Sequence, residues 1–134
     1  MDFPIKVHPN ALRAAEAGRC AADQNQFWAM HDLMQGNPTH LAMENLMDYA
    51  NRLGMNADAF RQCVSSGKYE NKIKEDADEA MAKGIRGTPV MIVGKSRSGT
   101  VEGSMIMGSI PYETIDEKLR ALISAETAQQ VALQ

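Results

Sequence analysis

Every strand signal in this chain falls in one stretch near its C-terminal end, behind a long helical run. Val90-Met91-Ile92-Val93 is a short apolar run introduced by Gly87-Thr88-Pro89 and followed by Gly94, the signature of a buried strand. Gly94 to Thr100 (GKSRSGT) has turn composition, and Val101 to Met107 is placed to return as the antiparallel partner. Gly108-Ser109-Ile110-Pro111 then opens a last helix with Pro111 at its first position, and Ile115, Leu119, Leu122 and Ile123 form its apolar stripe. From Ser124 to Gln134 the chain is polar enough to fray. Helices first and strands late is the order any fold for this chain must accommodate.

The first 84 residues read as five helices. His8-Pro9-Asn10 starts the first, whose small residues Ala14, Ala17, Gly18 and Ala21 leave a smooth face for a neighbouring helix. The second runs from Gln26 to Met34 with Phe27 and Trp28 as core aromatics, and Gly36-Asn37-Pro38 stops it. The third opens at Thr39 or Ala42, repeats Met43, Leu46, Met47, Ala50 and Leu53, and ends at Gly54. Asn56 caps the fourth, which carries Phe60, Cys63 and Val64 on one side. The fifth, Tyr69 to Lys83, shows Ile73, Ala77, Ala80 and Met81 on one face and stops at Gly84.

Composition limits the partners. The chain has 134 residues, 44% apolar and 23% charged, with 14 basic against 17 acidic side chains. That is globular composition, and the evenly spread net charge of −3 without a Lys/Arg cluster argues against nucleic acid. No apolar run approaches the ~18 residues of a membrane span, and the first twenty residues contain no signal-peptide core. Two cysteines, Cys20 and Cys63, are too few for a disulfide scaffold or a zinc site.

Taken together, these segments resemble the second half of DsbA-type thiol–disulfide oxidoreductases, a thioredoxin-like fold with a helical insertion. The resemblance rests on DFPI–HPNA (Asp2 to Ala11), AAEAGRCAADQNQFWAMHDLM (Ala14 to Met34), YANRLGM (Tyr49 to Met55), FRQCVSSGKY (Phe60 to Tyr69), GIRGTPVMIVG (Gly84 to Gly94) and GSIPYE (Gly108 to Glu113). It spans about residues 2 to 123, in order. It implies an α/β fold truncated at its N-terminus, predominantly helical, with a C-terminal β-hairpin and a final helix. Residues 1–84 would be the helical insertion, 85–123 the C-terminal part of the thioredoxin-like domain, and 124–134 a polar tail.

The same resemblance implies protein or peptide substrates and no cofactor or metal. It implies a periplasmic or extracytoplasmic setting, although the absence of a signal peptide in this chain leaves the cytoplasm open. The family's catalytic Cys-x-x-Cys is missing from this sequence, so no catalytic residue is assigned and the chain alone is expected to be redox-inactive. It is either a fragment of the intact enzyme or a natural truncation. Without the family's other strands, the hairpin would keep an unpaired edge, and self-association through that edge is expected.

Gly87, Thr88 and Pro89 match the family's cis-proline loop, in which the residue before proline holds substrate backbone. The alternative is a plain trans Thr-Pro introducing a strand. Cys20 and Cys63 lie on separate helices, and neither sits at a helix N-terminus that would activate it. They are two buried free thiols or one structural disulfide. Family members often carry cysteines at both matching places, which favours the bridge.

Two rival readings have weaker support. One is a non-catalytic peptide-binding or assembly module using the sheet edge. The other is a metal-dependent phosphohydrolase, suggested by His8, His31-Asp32 and Asp76 in His…His-Asp…Asp order. Of the ten methionines, Met105 and Met107 alternate on one strand face. Copper(I) binding competes there with simple gap filling.

Overall fold

The computed structural model describes residues 1–5 and 7–131. Among them the elements run α1 (Ala11–Ala22), α2 (Phe27–Gly36), α3 (Met43–Arg52), α4 (Ala57–Ser66), α5 (Glu70–Ala82), β1 (Val90–Arg97), β2 (Thr100–Met107) and α6 (Tyr112–Val131). The chain divides into two compact units, Met1–Arg86 and Gly87–Gln134.

The first unit is built around α1. Its small residues do what their spacing requires: Ala17, Gly18 and Ala21 are buried, so α2, α4 and α5 pack against it closely. Phe60, Met30, Leu46 and Ile73 are fully buried, each contributing about 1.5–3 kcal/mol by leaving water. Asn56 caps α4 by accepting the Ala59 N–H at 3.0 Å. The side-chain amide of Gln24 grips the same residue's backbone, accepting from Asn56 N at 2.8 Å and donating to Asn56 O at 3.2 Å. The end of α1 is thereby tied to the start of α4.

The second unit is an antiparallel hairpin with α6 packed along β1. The turn is shorter than GKSRSGT suggests. Only Ser98 and Gly99 lie between the strands, at φ 49° and 81°, the left-handed pair of a two-residue type I′ hairpin. Gly94 is therefore not a turn residue. It lies inside β1 opposite Gly103 of β2, where the two backbones approach so closely that a Cβ on either would collide with the facing strand. Alternation gives the hairpin two faces. Ile106 is buried on one; Ile92, Met105 and Met107 lie largely exposed on the other.

Other expectations need correction. The last helix begins at Tyr112, one residue beyond Pro111, and its helical turns run on through Ser124 to Val131. Residues 132–134 of the expected tail lie outside the described residues. Half of its predicted stripe is wet, with Leu119 and Ile123 exposed. On α5, Ile73 and Ala80 are buried but Met81 faces solvent. On α2 only Met30 is fully inside, so Trp28 stands in water and Phe27 only rests against α1.

Candidate functional site

Gly87-Thr88-Pro89 runs into the first residue of β1. The Thr88–Pro89 peptide bond is cis. Pro89 O accepts the Gly108 N–H at 2.9 Å, which extends the hairpin pairing one step beyond Val90 and Met107. Thr88 itself is exposed, and its backbone makes no hydrogen bond among the described residues. An N–H and a C=O beside a strand end are thus left open, as an added extended chain would need. The sheet contains two strands among the described residues, so neither strand has an outer partner.

Cys20 and Cys63 are joined to each other, 43 positions apart, and no free cysteine remains. The bridge pins α1 to α4. Beside it, Asp23 accepts from Lys68 Nζ at 2.7 Å and from Tyr69 Oη at 2.5 Å. The Lys68 and Tyr69 hydrogen bonds hold the Asp23 carboxyl below its usual range. Tyr69 also donates its backbone N–H to both oxygens of Glu16, each at 3.1 Å. Glu16 is only 4% exposed. Burial pushes its carboxyl up, against the lowering effect of the Tyr69 N–H.

A second polar knot fastens the segment before α1. Arg19 donates to Asp2 at 2.6 Å and to Asp76 at 2.8 Å, and Asp2 N donates to Asp76 at 2.9 Å. Burial raises the Asp76 carboxyl, but the Asp2 N–H, the Arg19 guanidinium and Lys72 outweigh it and hold it low. Glu16 and Arg19 give no motif signal. The only clue in sequence is that both are charged residues set within the Ala-rich run Ala11 to Ala22, where a charge that becomes buried needs a partner.

The phosphohydrolase constellation does not form. Among the described residues no three His, Cys, Asp or Glu side chains gather as metal ligands. Asp76 is committed to Arg19, and His31 Nδ1 lies 3.0 Å from its neighbour Asp32. Met105 and Met107 are both exposed and so fill no core gap.

Comparison with known proteins agrees with the fold. The family described as DSBA-like thioredoxin domain matches residues 1–120. Among similar curated proteins is Na(+)/H(+) antiporter NhaA 3 of Salinispora tropica, 38% identical over 68% of this chain and 14% of that protein. Na(+)/H(+) antiporter NhaA 1 of Salinispora arenicola is 40% identical over 85% of this chain and 18% of its own length. Na(+)/H(+) antiporter NhaA of Herminiimonas arsenicoxydans is 29% identical over 92% of this chain and 19% of its own. The chain thus spans less than a fifth of each of these relatives. No solved structure matches it. With a helical unit, a hairpin carrying a Gly-Thr-Pro entry and a family match over nearly the whole chain, the protein belongs to the DSBA-like thioredoxin domain family.

Proposed function

We propose that this chain supplies the substrate-holding part of a DsbA-type thiol–disulfide oxidoreductase and not its reacting dithiol. The observation that carries this reading is Thr88, exposed ahead of β1 with its backbone N–H and C=O making no hydrogen bond among the described residues. An extended peptide aligns there by backbone hydrogen bonds, which hold any sequence, as an enzyme with many protein substrates requires. Gly87 leaves room for that approach. In the exchange reaction a thiolate attacks a disulfide sulfur, a new S–S bond forms and the displaced sulfur leaves as thiolate. Neither cysteine here is placed for that step: Cys20 is buried within α1, and its bond to Cys63 ties α1 to α4 away from any helix N-terminus.

The clamp supports a periplasmic or other extracytoplasmic setting, where such bonds persist. Ion transport, the activity in the relatives' printed name, gains no support from the chain. No helix among the described residues is long and apolar enough to cross a membrane.

Titrating isotope-labelled protein with S-carboxymethylated insulin B chain tests the site. Amide shifts concentrated at Gly87, Thr88 and Val90 are expected. Shifts confined to residues 11–66 would reject it.

A second reading, a non-catalytic binding or assembly module, draws on the exposed face of Ile92, Met105 and Met107 and on hairpin edges that pair with no third strand among the described residues. In that reading copies of the chain associate through the hairpin. Sedimentation showing concentration-dependent dimers that Met107→Lys abolishes would favour it, and a monomer at all concentrations would exclude it.

A further inference from the structure

We propose that the outward face of α2 is a docking site for an arginine side chain of a protein partner. Trp28 is 70% exposed, yet two neighbours hold its ring. Phe27 meets it edge-on at 5.0 Å with planes 82° apart, and His31 meets it at 5.5 Å and 73°. Phe27 is itself seated on α1, where its ring would touch a Cβ at Gly18 at 3.4 Å. The indole is therefore presented by a braced stack, and little side-chain entropy is lost when something lies on it.

Asp32 follows Trp28 by four positions, one helical turn along the same face, which puts the two Cβ atoms about 5–6 Å apart. Its side chain is 79% exposed. One carboxylate oxygen faces His31 Nδ1 at 3.0 Å; the other has no hydrogen-bond partner among the described residues. An aromatic face and a half-used carboxylate thus stand side by side.

A guanidinium satisfies both. Its plane stacks on the indole while its N–H fork reaches the carboxylate. An ammonium matches the charge but not the stacking, and an anion is repelled by Asp32. Among the described residues no cation of the chain occupies the place: the cation–π contacts, from Arg19 and Lys68, lie on Tyr69.

Trp28 is the sole tryptophan, so fluorescence excited at wavelengths beyond tyrosine absorption reads this face alone. The 134-residue chain is titrated with acetyl-Gly-Arg-Gly-amide and with the same peptide carrying citrulline, which keeps the shape and loses the charge. Saturable change at millimolar arginine peptide, absent with citrulline, is the expected result. Asp32→Asn, at an exposed position that leaves the fold intact by circular dichroism, should weaken the arginine response about two- to fivefold. Equal responses to the two peptides, a response that never saturates, or an unchanged Asp32→Asn titration would overturn the proposal.

Discussion

Arg19 and Asp76 meet at 2.8 Å, and this ion pair fastens α1 to α5. Because Arg19 also holds Asp2 at 2.6 Å, one guanidinium fixes the path of the chain before α1. Arg19→Met takes the guanidinium from an Asp76 that is only 8% exposed and leaves it the Asp2 N–H and Lys72, so a loss of about 1–3 kcal/mol is expected by urea denaturation. Arg19→Lys should recover only part of it, since a point charge cannot serve two carboxylates as a fork does. Asp76 titrates below the usual carboxylate range. Its share of stability is therefore present above the ordinary aspartate pKa and lost as pH falls through the lowered one, an acid limb that Arg19→Met should flatten.

Glu16 has the opposite sign. Burial raises its pKa despite the Tyr69 N–H, so stability is fullest below the ordinary glutamate pKa and declines as pH rises through the raised value. Glu16→Gln keeps an acceptor for Tyr69 N and removes that decline, giving equal or higher stability at neutral pH. Glu16→Ala orphans the N–H at the start of α5 and should cost about 1–3 kcal/mol. Urea midpoints measured from about pH 3 to about pH 8, which brackets the ordinary and raised carboxylate values, distinguish the two substitutions.

The Cys20–Cys63 bridge closes a long loop between α1 and α4. In the chain-entropy description, removing it by the double substitution Cys20→Ala, Cys63→Ala destabilises the protein by about 4 kcal/mol. Calorimetry should show a correspondingly lower melting temperature. Thiol titration of the unreduced, denatured wild type should find no free thiol.

Gly94→Ala and Gly103→Ala each place a methyl group into the facing backbone of the hairpin. Loss of the cross-strand contacts between β1 and β2 by NMR is expected for either variant. The spectrum of residues 11–82 should be unaltered. An intact β1–β2 register in both variants would show that the strands can move apart without cost.

Helical spacing made most of the first unit legible. The Ala/Gly stripe of α1, the Asn56 cap and the Leu46–Met47–Ala50 face follow from local chemistry that each segment carries by itself. The errors share a cause. Glycine marks both turns and close backbone approach, and only pairing across the hairpin shows that Gly94 serves Gly103 and not a turn. The pair Phe27-Trp28 looks like core on any hydrophobicity scale, whereas the direction of α2 relative to α1 decides that one ring faces protein and the other water. The Gly87-Thr88-Pro89 loop was legible from its flanking pattern and the family resemblance. The Arg19–Asp76 and Glu16–Tyr69 contacts were not, because they join residues 57 and 53 positions apart.

The separation of substrate holding from sulfur chemistry is tested most directly by insulin reduction. Turbidity is followed with dithiothreitol, with and without the pure 134-residue chain. Precipitation at the rate of dithiothreitol alone is predicted. Acceleration by the chain that disappears in the Cys20→Ala, Cys63→Ala variant would contradict it, placing the reacting sulfurs in the bridge assigned here to structure.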